Sequence, residues 1–445
     1  MKGYRLFAAA IAMAASCSMA FAAKTLCVNP DGTDGCYKTI SAAVAAASVG
    51  DIVQVQDGTY YEQVTITKSG LFLVAAPSAH PVIDAMNKPV GIFVNGMSAA
   101  PGRGVFGLLI SGFQIRNANF EGVLVANGNE VTISHNHIYY NNLSLDAENS
   151  TCPGIDAFET NEGFDCGEGV HLMSTISSLV TRNEIDQNAG GILLSDETGS
   201  TFQNVISHNF VHDNPFDCGI TLASHGPAKS VIPTATLPFG IARNTISYNI
   251  SARNGLALFG AGAGVGIFAP FPGTSNAGNV VIGNELIGNG LPGVAMHNHA
   301  AAPSPAPPVN LSQNSIINNH FSGNGADTED TATSGTAGIN IASKVPVEGT
   351  IITGNTFDDE QVDITFNAPT GLVGAHYNNF SKGTGVANLK GGTVDATENW
   401  WHCPFGPNMG HACATVSGPV WFAPWLTEPA DSHSDSHSDR DADQH

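Results

Sequence analysis

The sequence predicts an all-β solenoid: short parallel strands stacked turn upon turn, with a helix over the first turn. Three observations predict it. From Cys166 to His225 a unit of glycine, apolar, any, apolar recurs as Gly169-Val170-His171-Leu172, Gly191-Ile192-Leu193-Leu194 and Gly219-Ile220-Thr221-Leu222. A second unit, Asn-x-apolar-x-x-Asn, precedes two of these, at Asn183–Asn188 and Asn209–Asn214. The glycines are 22 and 28 residues apart. Repeats at periods of about 20–50 residues mark solenoids, and period-2 apolar runs between Asn and Gly turns make each repeat a turn of strands.

The chain has 445 residues, of which 12% are charged and 50 are glycine. So few charges leave a surface built of Asn, Ser, Thr and Gly, as recurring turns require. The formal charge is −22; without Lys2 and Arg5 it is −24, and without the five Asp and one Arg of 431–445 it is −20. Such a surface repels nucleic acid and anionic lipid, so neither is expected as a partner. A polyanionic substrate would need divalent cations to mediate.

Residues 1–22 read as a signal peptide: Lys2 and Arg5, an apolar run from Leu6, and Ala20-Phe21-Ala22 as cleavage site. Export to a secreted or periplasmic location follows; Cys17 is a weaker lipoprotein acceptor, since Ala14 stands where a larger aliphatic is usual. No other run is long enough to span a membrane. Export permits disulfides. Cys27 with Cys36, Cys152 with Cys166, and Cys403 with Cys413 would each close a short loop, leaving Cys218 as a buried thiol.

In chain order, residues 23–50 are expected to form an N-terminal cap containing the Ala-rich helix 37–47, which covers strand edges that would otherwise aggregate. Asp51–Gln56 alternates as a strand, Asp57-Gly58 turns it, and Gly58-Thr59-Tyr60-Tyr61-Glu62 leads into Val64-Thr65-Ile66. Asn-type turns continue at Asn136, Asn244, Asn284, Asn319 and Asn355, and Gly-type strands at Gly264, Gly293 and Gly338. Asn tolerates left-handed turns, and stacked Asn side chains can bond from coil to coil. Segments 143–165, 226–240, 300–313 and 325–336 interrupt the repeats. Insertions of this kind tend to collect on one face. The acidic 143–165 reads as a solvated loop in preference to a Ca²⁺ site. Residues 399–429 form a Trp-rich C-terminal cap, and the His/Asp tail 430–445 is expected to be disordered.

The opening Gly50–Ile66, the Asn/Gly repeats, and the closing Asn399-Trp400-Trp401 with Pro424-Trp425-Leu426 resemble secreted proteins of the pectin-lyase-like superfamily. The resemblance implies a single-stranded, right-handed parallel β-helix over residues 51–398. Its activity is less marked. Glu62 sits in the Gly-x-Tyr-x-Glu of pectin methylesterases, but no Gln-Asp-Thr-Leu accompanies it. Ser224-His225-Gly226 carries only the His-Gly of polygalacturonases. With 16 Lys and Arg in all, the basic chemistry of pectate and alginate lyases has few candidates.

Stacking the Gly-type strands in register puts Thr175, Glu197, His225, Pro270, His299 and Lys344 in one column, with neighbouring coils about 4.8 Å apart. Asp196 and Glu197 then neighbour His225, with His299 beyond. Carboxylates beside imidazoles suit general acid–base catalysis, so Asp196, Glu197, His225 and His299 are the candidate catalytic residues. Glu168, His171, His297, Asn298 and Lys344 border them as candidate substrate contacts. A functional column requires Glu197 and His225 to be partly exposed; the competing reading makes each an ordinary strand-end polar residue, and Glu197→Gln is expected to be neutral for stability in both. The set would equally accept a divalent metal as cofactor, its identity open.

The resemblance implies an exported protein that binds a polysaccharide and, if it is an enzyme, cleaves it as hydrolase or lyase. Two other classes remain: a periplasmic metal-associated accessory protein like the NosD-type maturation proteins, and a non-catalytic adhesion module. Oligomeric state is not legible.

Overall fold

The computed structural model describes residues 23–141, 167–225, 239–257, 261–270, 273–298, 309–328, 333 and 335–430. Within them the chain winds as a right-handed parallel β-helix. Each coil adds one strand to each of three parallel sheets, which hold 14, 10 and 12 strands; two short sheets of two and three strands lie at a corner.

Apolar alternation sets the register. Val170 pairs with Ile192, Ile192 with Ile220, Ile220 with Val265, Val265 with Val294 and Val294 with Ile339. All six are buried in one continuous core that fills the helix from Val28 to Ala414. The recurring glycine before these strands has a steric cause. A Cβ on Gly191 would stand 2.1 Å from the carbonyl oxygen of Gly219 in the next coil and 2.3 Å from Val211 Cγ1.

Asparagines form ladders at the turns. Asn136, Asn183, Asn209, Asn249, Asn284, Asn319, Asn355 and Asn378 each donate the side-chain N–H to the next asparagine's Oδ1, at 2.9–3.0 Å, and the ladder ends on Asn399. A second ladder runs Asn141, Asn188, Asn214, Asn254, Asn289, Asn324 and ends on Glu360 Oε1. The expectation that these asparagines take the left-handed conformation is corrected. In the first ladder positive φ falls on the residue before, as at His135, Arg182, His208 and Tyr248. The asparagine instead satisfies backbone groups that the corner would leave unpaired: Asn209 Nδ2 also donates to Val180 O at 2.9 Å, and its Oδ1 accepts from Asn183 N at 3.0 Å.

The N-terminal helix is Ile40–Ala46, packing Ile40, Ala43 and Val44 inward. Glu62, of the Gly-x-Tyr-x-Glu segment, caps it: Oε1 accepts from Ile40 N at 2.8 Å and Oε2 from Ser41 N at 2.9 Å. A carboxylate on unpaired N–H groups is a helix-start device, which gives this glutamate a structural task. Thr25–Val28 already pairs with Ile52–Val55, so the first sheet begins inside the segment assigned to the cap. At the other end Phe321, Phe357, Phe380 and Trp401 stack inside the helix, with centroids 4.8, 5.9 and 4.7 Å apart.

Cys27–Cys36 and Cys403–Cys413 are disulfides and Cys218 is a free, buried thiol. Cys152 and Cys166 lie outside the described residues, as do His299, most of the four inserted segments, the signal peptide and the tail from 431. Two disulfides fit an extracellular or periplasmic compartment. Among the described residues no helix is long and apolar enough to cross a membrane.

Candidate functional site

The third sheet turns Val170 and Leu172 inward and therefore points His171 outward. The outward row continues through Leu124, His171, Leu193, Thr221, Gly266, Ala295 and Asn340, in register on successive coils. Every one of them is buried.

A chain of polar contacts runs along this face across four coils. His171 Nδ1 lies 3.3 Å from Glu121 Oε1, and its Nε2 lies 2.7 Å from Ser195 Oγ. The Ser195 side chain also helps to hold Glu197 ionised. Glu197 Oε1 meets His225 Nδ1 at 2.8 Å. The Glu197 and His225 side chains are 1% exposed, which corrects the expectation that both are partly exposed. Burial by itself would raise the Glu197 pKa. The charge and hydrogen bond of His225, with the charge of His171 and the Ser195 side chain, outweigh it and hold the carboxyl at about 2. Glu197 is therefore an ionised partner that fixes the imidazole.

The other expected residues divide. Asp196 turns away and accepts from Ser224 Oγ at 2.8 Å, while Ser224 Oγ accepts from Ser275 N at 3.1 Å. Asn298 donates to the Ala269 carbonyl at 3.0 Å and accepts from Lys344 N at 3.3 Å, which makes it a backbone brace. Lys344 is exposed. Thr175 is folded back onto the Val125 and Met173 carbonyls. His297 forms its own buried pair, Nε2 to Asp327 Oδ2 at 2.8 Å, with Asn340 donating to the same oxygen at 2.9 Å. His297 lies two coils beyond His225.

Glu168, Glu121 and His171 bring one ligand atom each to within 4.8 Å of one another, all buried. Two carboxylates and an imidazole in a dry site suit a divalent cation. Glu121, Ser195 and Asp327 were not found from sequence. A signal for Glu121 does exist: Glu121-Gly122-Val123 repeats as Glu168-Gly169-Val170 one coil on.

A family profile described as "Right handed beta helix region" matches residues 85–232. No curated protein matches the chain. Among solved structures, an alginate lyase from Paenibacillus sp. str. FPU-7 aligns over 91% of this chain and 99% of its own, at 10% identity and TM-score 0.42. PfbA, a surface adhesin of Streptococcus pneumoniae, aligns over 87% of each chain, at 14% identity and TM-score 0.47. The catalytic unit of an α-1,3-glucanase from Streptomyces thermodiastaticus aligns over 88% of this chain and 66% of its own, at 13% identity and TM-score 0.40. Profile and coordinates agree that this protein is a right-handed parallel β-helix.

Proposed function

We propose that the protein is exported, binds a neutral or weakly charged polysaccharide at the strand ends of the third sheet that carry Glu197 and His225, and cleaves it by proton transfer at His225. The observation that carries this reading is the Glu197–His225 pair: 2.8 Å apart, on adjacent coils, and shielded from water. With Glu197 ionised, His225 donates Nδ1–H to it, which fixes the ring as the proton-transfer group. The carboxylate then stabilises the imidazolium that forms. Glu197 is too acidic to serve as the proton donor of a two-carboxylate hydrolysis. Because both side chains are 1% exposed, glycan binding must uncover the ring for the chemistry to occur.

The test is a polysaccharide panel, read both by new reducing ends and by absorbance of unsaturated sugars, with and without Ca²⁺. Wild type should turn over at least one glycan, and Glu197→Gln and His225→Ala should each lose about two orders of magnitude or more in kcat. Binding without turnover removes the catalytic part and leaves adhesion.

A second reading, a metal-associated accessory protein, is favoured by the buried Glu121, Glu168 and His171 set. It predicts a divalent ion in the purified protein that Glu168→Gln and His171→Ala release.

A further inference from the structure

We propose that His137, Glu184, Asp186 and His212 form a zinc-type divalent metal site on the outer face of the second sheet, separate from the polysaccharide face. Strands His137–Tyr139, Glu184–Asp186 and Phe210–His212 lie side by side, pairing His137 with Glu184 and Asp186 with His212. Their central residues Ile138, Ile185 and Val211 are in the core, so all four proposed ligands point outward from three successive coils.

The ligand atoms of His137, Glu184 and Asp186 converge, and His212 adjoins them through Glu184. His137 Nε2 is 2.6 Å from Asp186 Oδ1, and His212 Nε2 is 3.5 Å from Glu184 Oε1. The ligand atoms of His137, Glu184 and Asp186 fall within 4.8 Å of one another. Both rings are held by stacking: His137 on Tyr139 at 4.2 Å and His212 on Phe210 at 3.8 Å.

The second, independent observation is the far side of His212. Its Nδ1 lies 2.7 Å from Asp213 Oδ2. Asp213 is in turn gripped by Arg253 through two bonds, of 2.8 and 2.6 Å. The contact with Asp213 turns Nε2 toward Glu184. That atom is buried and has no hydrogen-bond partner, although it faces a carboxylate oxygen. A nitrogen opposite an oxygen at this spacing matches two neighbouring ligands of one tetrahedral ion, each about 2.0–2.2 Å from it. A carboxylate on the non-ligating nitrogen is the usual partner of a metal-bound imidazole. Two imidazoles and two carboxylates neutralise a divalent charge and favour Zn²⁺ or a similar transition ion over Ca²⁺. The short His137–Asp186 contact brings the two side chains together on this face. Half-exposed Glu184 leaves an entry route.

The experiment uses the full-length, tag-free protein, loaded with Zn²⁺, desalted and assayed for zinc per chain. His433, His437 and His445 of the tail contribute equally to every variant, so differences decide. Wild type should retain one equivalent more than His212→Ala and Glu184→Gln, both of which should keep the wild-type circular dichroism. Asp213→Asn should weaken zinc binding by about tenfold to a hundredfold in titration calorimetry. Equal zinc in wild type and both ligand variants overturns the proposal. So does zinc that His171→Ala removes and His212→Ala does not, since that places the ion on the third sheet.

Discussion

The outer rows of the first and third sheets follow the same strand alternation and meet opposite surroundings. On the first sheet, Phe72, Leu109, Thr132, Leu179 and Val205 stand in register, with Phe72 41% and Val205 36% exposed. On the third, Leu124, His171, Leu193 and Thr221 stand in register and none exceeds 3%. Apolar residues face solvent on one side, while imidazoles, carboxylates and hydroxyls are buried on the other. Burying polar groups costs free energy unless each is partnered, so the third face holds the groups whose loss is expensive. It is also the face on which chemistry can be screened from water.

The largest expected effect is at Glu197. Replacing it with Gln leaves a buried His225 without its counter-charge and should cost about 3–5 kcal/mol in urea unfolding near neutral pH. This reverses the expectation of a stability-neutral change, which assumed an exposed strand end. Val205→Thr on the first sheet should stay within about 0.5 kcal/mol. If the two variants lose equal stability, the contrast between the faces fails. The pH dependence sharpens it. A carboxyl held at about 2 against an ordinary 4.5 stabilises the fold fully above pH 4.5, and that contribution is lost as pH falls toward 2. The Glu197→Gln profile should be flatter over that window.

Glu360 should give the next effect, with the opposite sign. It ends the second asparagine ladder, and burial raises its pKa to about 7, against the lowering pull of the Asn324 hydrogen bonds. An acid with a raised folded pKa favours the fold when protonated. Stability should therefore decline as pH rises from 4.5 through 7. Glu360→Gln should gain roughly 2–3 kcal/mol at pH 8 and almost nothing at pH 4, measured by urea unfolding. A gain of equal size at both pH values would mean that Glu360 is not titrating.

The smallest effect is at Cys218. It is buried, and burial first, then the nearby Asp217 charge, push its thiol well above the ordinary range. Native protein should incorporate no thiol reagent at Cys218 over a time in which denatured protein incorporates one equivalent. Non-reduced peptide mapping should find it unbridged.

The fold was legible because its signals are local. Gly191-Ile192-Leu193-Leu194 carries its own alternation, and its glycine answers to a carbonyl one coil away. The Glu197–His225 contact was legible from the repeat register alone. His171 with Glu121 was not, because the partners are 50 positions apart in the chain. The burial of outward residues depends on what lies over them, which strand periodicity does not encode. Asp327 was hidden for a related reason: it sits in an interruption, where no register applies.

The first asparagine ladder has a consequence for how such a chain can change over time. Its rungs are separated by as many as 47 residues, at Asn136 to Asn183, and as few as 21, at Asn378 to Asn399. Both are spanned by the same 3.0 Å bond. The ladder measures coils and is indifferent to the length of chain between them. A loop can be lengthened, trimmed or exchanged between two rungs without moving the coils on either side, as the modest entropic cost of longer loops permits. One backbone could thus acquire a new recognition surface by splicing at a corner, with the fold that carries it left unchanged.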